Sequence, residues 1–169
     1  NHLQVLPAGL AIINNLKHLT ARNNHIAYLP DNLGQSRRLV TLDLSNNRIT
    51  SIPEEIGNCP HLYQVFLNSN KIKVIPESFV NLYDGADIFL QDNEIQGPVP
   101  EKLLMANESN RQVRLDSNRF VFNDIPQSDK LNFGLRDQKE VSLKKQVFKV
   151  RKGDTVTIDI RSISNLSFQ

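Results

Sequence analysis

The sequence predicts an α/β solenoid, a curved stack of short repeats whose strands form one parallel sheet on the concave side. Six asparagines recur along the chain; the first four intervals between them are 23 residues and the last is 25. Apolar positions recur in phase with them, so each repeat is expected to bury its apolar side against its neighbours. These asparagines are Asn1, Asn24, Asn47, Asn70, Asn93 and Asn118.

Each repeat combines a short strand, an asparagine and a connection that begins at proline. Six places after the first four asparagines stands a proline, whose fixed φ favours the start of a convex segment. Side chains alternate along a strand, so every strand-like segment turns two residues inward. The predicted inward pairs are Leu19/Ala21, Leu42/Leu44, Val65/Leu67, Ile88/Leu90 and Val113/Leu115. A further apolar column is Ile13, Ser36, Cys59, Leu82 and Met105, in which Ser36 is the exception.

Two unbroken fragments, LVTLDLSNNRI and LYQVFLNSNKI, resemble the leucine-rich repeat pattern L-x-x-L-x-L-x-x-N-x-L. The resemblance covers residues 1–126 and implies six repeats, of which the first is truncated at Asn1. We therefore expect at least one more repeat or a cap upstream in a longer parent protein. Each repeated asparagine is expected to bond backbone groups that the turn after the strand leaves without partners.

The period stops after Pro126, and residues 127–139 are predicted to form a polar linker. Residues 140–169 are predicted to form a short antiparallel β segment, in which Lys152-Gly153-Asp154 signals a turn. The stretch VFKVRKGDTVTIDI resembles the opening strands of an immunoglobulin-like (Ig-like) module. With NRFVFNDIP before it, the chain resembles secreted or surface leucine-rich repeat proteins of the Bacteroidetes kind. The segment is interpreted as the start of such a module or as a C-terminal β-cap.

Composition and motifs favour a protein without catalytic chemistry. A net charge of +2 does not indicate a nucleic-acid partner, and no apolar run approaches the ~20 residues of a membrane span. The single cysteine, Cys59, excludes an internal disulfide, and the four histidines lack metal-ligand spacing. No phosphate-binding loop or nucleophile elbow is present. We therefore predict no enzyme activity, no cofactor and no metal.

The alignment of the repeats predicts a candidate binding site on the concave face. Phe66 and Phe89 share one outward column on neighbouring strands and are expected to form an apolar patch. Aromatic clusters with a polar rim are typical of binding hot spots. The expected ligand-binding residues are Phe66 and Phe89 with a rim of Gln64, Asn68, Asp87, Gln91, Arg22 and Arg114.

The resemblance implies a binding module that recognises a protein or a glycan and performs no turnover. A bacterial surface adhesin fragment, extracellular or cell-surface, is the favoured interpretation because of the β tail. One alternative is a cytoplasmic scaffold for signalling proteins, since IPEEIGNCP resembles intracellular repeat proteins. Another is a receptor ectodomain, suggested by NEIQGPVP, and a fourth is a fragment that presents substrate to an enzyme domain elsewhere. The ligand and the oligomeric state stay open.

Overall fold

A computed structural model describes residues 1–83, 85–104 and 112–120. These residues form a stack whose strands make one parallel sheet in the order β1-β2-β3-β4-β5. The strands are short, as expected for repeats that each contribute one extended segment before turning. Their bounds are His18–Thr20 (β1), Thr41–Asp43 (β2), Gln64–Phe66 (β3), Asp87–Phe89 (β4) and Val113–Arg114 (β5).

The register of the sheet follows the sequence period. Between β1 and β4 every strand pairs with the next at an offset of 23 residues, so that Leu42 faces Val65 and Phe66 faces Phe89. Between β4 and β5 the offset is 25, and Phe89 faces Arg114. The predicted parallel solenoid is therefore confirmed.

The convex side consists of one short helix per repeat. In four repeats this is a 3₁₀ helix that begins directly after a proline held at a φ between −61° and −69°. The proline carbonyl accepts the N–H three residues later, as Leu33 donates to Pro30 at 3.0 Å. The helices are Ala8–Ile12 (η1), Asp31–Gln35 (η2), Glu54–Asn58 (η3) and Glu77–Asn81 (η4), with the α-helical turn Glu101–Leu104 (α1) in the fifth repeat.

The core lies between the sheet and these helices. The inward columns are fully buried in the middle of the stack, for example Leu42, Val65 and Ile88, each at 0% exposure. Ser36, the polar exception, is also buried, and its hydroxyl donates to the carbonyl of Ala11 at 3.5 Å. The expectation for Ile13 is wrong: it is 47% exposed, because the helix directly before it, η1, packs against η2 on one side only.

The repeated asparagines form a buried ladder along the stack. The Asn70 amide nitrogen donates to the carbonyls of Leu67, Asn68 and, one repeat earlier, Leu44, at 3.0 to 3.3 Å. Its oxygen accepts the N–H of Ile49, also in the preceding repeat, at 2.9 Å. Asn47, Asn93 and Asn118 repeat this pattern. The expected structural role is confirmed for these four asparagines, since each of their amides joins two consecutive repeats.

Cys59 is the buried cysteine of the predicted apolar column. It is 0% exposed, and its thiol donates to the carbonyl of Leu33 at 3.5 Å. Burial raises the pKa of the Cys59 thiol from 9.0 to about 11. The thiol is therefore neutral at physiological pH and poorly suited to act as a nucleophile.

We expect Cys59 to resist alkylation in the native protein at neutral pH and to react once urea unfolds the chain.

The raised pKa of Cys59 also makes the stability of the fold depend on pH, because the thiol of the unfolded chain ionises at a lower pH than the thiol of the folded protein. Its contribution to stability is fully present below pH 9 and is lost as the pH rises toward 11. The free energy of unfolding, measured in urea for the parent and for Cys59→Ala between pH 9 and 11, tests this loss of stability. A stability difference that does not change with pH would contradict the assignment.

The predicted linker, residues 127–139, and the predicted β segment, residues 140–169, lie outside the described residues, so both stay predictions. The same holds for Met105. Within the described part of the chain, no helix has the length and apolarity that crossing a bilayer requires.

Candidate functional site

The outward-facing side chains of the sheet form parallel rows that run across the strands. We call this surface the sheet face; it corresponds to the predicted concave side. Since neighbouring strands lie about 4.8 Å apart, residues at the same position of consecutive repeats are direct neighbours. The middle row is Thr20, Asp43, Phe66, Phe89 and Arg114, and the row nearest the strand starts is His18, Thr41, Gln64, Asp87 and Gln112.

Phe66 and Phe89 form an aromatic stack at the centre of the sheet face. Their ring centroids are 4.9 Å apart and the ring planes are within 8° of parallel. Both side chains are half-buried, because each ring covers one side of the other. The stack presents a flat apolar surface amid polar side chains, the geometry in which an aromatic anchor contributes most to binding.

Hydrogen bonds fix the polar row on one side of the stack. The Thr41 hydroxyl donates to Gln64 Oε1 at 3.2 Å, and Nδ1 of His18 lies 3.1 Å from the same hydroxyl oxygen. Because the Thr41 hydroxyl donates its proton to Gln64, its oxygen accepts the second hydrogen bond, and the Nδ1–H of His18 is the donor of that bond. Gln64 is thereby held beside Phe66 with its amide nitrogen available for a ligand.

Charges of both signs border the stack. In β2 the Asp43 carboxylate accepts both the N–H and the hydroxyl of Ser45, at 3.1 and 2.7 Å. Arg114, which faces Phe89 across the sheet, pairs with Asp116 at 3.5 Å. This mixture does not select a ligand of one uniform charge, and it favours hydrogen bonding and shape as the basis of recognition.

The structure brings most of the predicted site residues around the two rings. Gln64 and Asn68 belong to the repeat of Phe66, while Asp87 and Gln91 belong to that of Phe89. Arg114 is adjacent to Phe89 in the next strand. Arg22 follows β1, two strands away from β3, so it lies at the far end of the face and does not border the stack.

One column has a backbone conformation that the repeat pattern alone does not predict. The residues before the ladder asparagines from Asn24 onward all have a φ between +55° and +59°. This left-handed conformation turns the chain from the strand into the next segment. Among residues other than glycine, asparagine and aspartate adopt the left-handed conformation most readily, so the Asn and Asp residues in this column are the sequence signal for the turn. These residues are Asn23, Asn46, Ser69, Asp92 and Ser117.

The Glu54 carboxylate has a structural role. The Glu54 carboxylate accepts the N–H groups of Ser78 and Glu77 at 2.9 and 3.2 Å, at the start of the next 3₁₀ helix. The bond from Ser78 is the main cause of the lowered pKa of Glu54. Within the described segments, no group of three or more His, Cys, Asp or Glu side chains is arranged to hold a metal.

Comparison with known proteins supports the repeat assignment. Residues 37–78 match the sequence family described as leucine-rich repeats, in two copies. No curated protein matches the chain at a significant level. The matched residues run from the end of η2 to the start of η4 and include both β2 and β3.

Several solved structures are similar to this chain. A plant ice-binding protein is 26% identical with a TM-score of 0.61, over 69% of this chain and 38% of that one. A Leptospira interrogans leucine-rich repeat protein is 26% identical with a TM-score of 0.65, over 75% and 31%. The leucine-rich repeat ectodomain of a plant membrane receptor kinase from Arabidopsis thaliana, in complex with Casparian strip integrity factor 2, is 26% identical with a TM-score of 0.58, over 69% and 14%.

The register, the asparagine ladder and these matches define the described residues as a leucine-rich repeat solenoid. This fold is typical of non-catalytic modules that bind other proteins. The chain spans less than half the length of each of the three similar structures.

Proposed function

We propose that this chain is a non-catalytic recognition module that binds an extended segment of another protein across the sheet face. The stack of Phe66 on Phe89 carries the proposal. It is an apolar anchor on a rigid sheet. Beside it, the amide nitrogen of Gln64 supplies a hydrogen-bond donor, and Arg114 supplies further donors and a positive charge to orient a partner. An extended peptide lying along the row would place an apolar side chain on the rings and its polar groups on the rim.

The proposal is tested by selecting ligands and then removing the stack. Peptides are selected from a random phage-displayed library on the parent protein, and their affinities are measured for Phe66→Ser/Phe89→Ser. We expect a loss of at least about tenfold, because truncating an anchor of this kind costs about 2 kcal/mol or more. Circular dichroism confirms that the double variant is folded.

A matched control removes two aromatic rings elsewhere on the same molecule. Tyr63 and Tyr83 form a tilted pair with centroids 5.8 Å apart, and both side chains are exposed. Tyr63 directly precedes β3, at the edge of the sheet face rather than in its middle row. The variant Tyr63→Ser/Tyr83→Ser is expected to keep the parent affinity. If the tyrosine variant loses binding and the phenylalanine variant keeps it, the proposed site is wrong.

We further propose that the module acts outside the cell, as part of a bacterial surface protein of the adhesin type with a following Ig-like module. The similarity to a receptor ectodomain supports the location outside the cell, and the similarity to a bacterial leucine-rich repeat protein supports the bacterial source. On an array of extracellular-matrix proteins, cell-surface glycans and cytoplasmic signalling proteins, the purified protein is expected to bind members of the first two groups. Binding confined to cytoplasmic signalling proteins on the same array would favour the scaffold alternative.

A further inference from the structure

A second surface of the molecule carries a row of basic side chains. Each repeat continues past its ladder asparagine into a segment that pairs with the next repeat through its backbone. The N–H of Arg48 donates to Ile26 at 2.8 Å, and that of Lys71 donates to Ile49 at 2.9 Å. Since the isoleucines point into the core, the residues directly before and after them point outward. We call the surface formed by His2, His25, Arg48, Lys71 and Lys73 the basic flank.

The side chains of the basic flank are accessible and stand in line. Arg48, Lys71 and Lys73 are exposed, and the rings of His2 and His25 lie 5.6 Å apart at one end of the row. One repeat separates His2 from His25, His25 from Arg48 and Arg48 from Lys71, so basic groups recur about every 4.8 Å along the stack, and Lys73 lies in the repeat of Lys71. No carboxylate among the described residues forms an ion pair with any of them.

Negative charge is excluded from this part of the surface. Residues 1–6, 23–29, 46–52 and 69–75, which build the first four levels of the flank, contain no Asp or Glu. The row ends where Glu94 takes the next position and pairs with Arg119 at 3.7 Å. Arg48, Lys71 and Lys73 therefore stand together without a carboxylate in these segments, which raises the local potential for an anionic ligand.

We propose that the basic flank binds a linear acidic polysaccharide that carries carboxylate groups along a straight chain. Its cations stand beside small polar side chains, among them Thr50 and Ser51, which suit the hydroxyls of a sugar. Tyr28, 66% exposed at the edge of the flank, adds a flat ring. Single-stranded nucleic acid needs a stacking partner for each base, and this flank offers one aromatic ring beside its imidazoles.

The test uses polygalacturonate as the probe, with the methyl-esterified polymer as a neutral control. The parent protein is expected to bind the acidic polymer, to lose affinity as the salt concentration rises, and not to bind the ester. The variant Arg48→Ser/Lys71→Ser/Lys73→Ser is expected to bind at least about tenfold more weakly, as three exposed charge contacts of roughly 0.5 kcal/mol each imply.

A second triple variant, Lys17→Ser/Arg37→Ser/Arg38→Ser, removes the same charge from positions before β1 and β2, at the opposite end of the strands. It is expected to keep the parent affinity. Equal losses in both triple variants would show attraction by net charge alone and overturn the proposal. Tighter binding of polyglutamate or of a single-stranded oligonucleotide would overturn the assignment to a polysaccharide. The proposal is independent of the aromatic stack, so Phe66→Ser/Phe89→Ser is expected to bind polygalacturonate normally.

Discussion

Replacing Asn70 by alanine is expected to lower the free energy of unfolding by about 3 kcal/mol. The substitution removes the acceptor of the Ile49 N–H and the donor to Leu44, Leu67 and Asn68, all in a buried position. A buried N–H without a partner costs about 1–3 kcal/mol, and the cavity left by the amide adds to this. Urea unfolding followed by circular dichroism measures the effect.

Two further variants separate hydrogen bonding from side-chain size. Asn70→Asp keeps the shape and the acceptor but has no amide protons to donate, so it is expected to destabilise the protein as well. Asn68→Ala changes an asparagine two residues away, whose amide donates to Ser69 at 3.5 Å, and is expected to cost under about 0.5 kcal/mol. An Asn70→Asp variant as stable as the parent would contradict the role of the ladder.

Replacing Gly34 by alanine is expected to destabilise the stack by about 2–3 kcal/mol. A Cβ at this position would lie 2.6 Å from the carbonyl carbon of Glu55 in the next repeat and still closer to its oxygen. Two backbones in contact cannot yield as a flexible side chain would, so η2 and η3 would have to separate. Gly57 stands in the same relation to Ser78 one repeat later. Thermal unfolding of the variant measures the loss.

Gly9→Ala provides the matched control for this substitution. Gly9 also lies in a 3₁₀ helix, η1, but a Cβ there meets nothing within 4 Å. Its φ is not positive, so alanine is expected to be neutral or slightly stabilising through the unfolded chain. If both glycine variants destabilise the protein equally, the effect is common to glycines in these 3₁₀ helices. The close approach of η2 to η3 is then not the cause.

The repeat period was enough to predict the strands, their order and their register. An interval of 23 residues leaves one pairing, in which Leu42 faces Leu19 and Val65, and the sheet has that pairing. The period could not show how the convex segments pack, because that depends on distances between backbones in different repeats. Gly34 and Gly57 are 23 residues apart in the sequence, yet only the contacts at Glu55 and Ser78 explain them.

The sequence predicts which residues of the candidate site are neighbours, but it does not predict how their side chains are oriented. Register alone places Phe66 beside Phe89, but the parallel stacking of their rings depends on rotamers that neighbouring side chains determine. Arg22 was assigned to the rim because it faces outward, although β1 lies two strands from β3. The basic flank is not predictable from the repeat pattern, because the pattern does not show that the segment between asparagine and proline pairs with its neighbours through backbone hydrogen bonds.

Site-specific photocrosslinking tests the central claim, recognition of a protein partner through the sheet face, most directly. The photoreactive residue p-benzoylphenylalanine is placed at Phe89, and in separate variants at Tyr83 and at Tyr28, where exposed aromatic side chains lie elsewhere on the molecule. Each variant is irradiated with a peptide selected on the parent protein. We predict a crosslink from position 89 and none from positions 83 and 28. Crosslinks from position 83 or 28 without one from position 89 would contradict the claim.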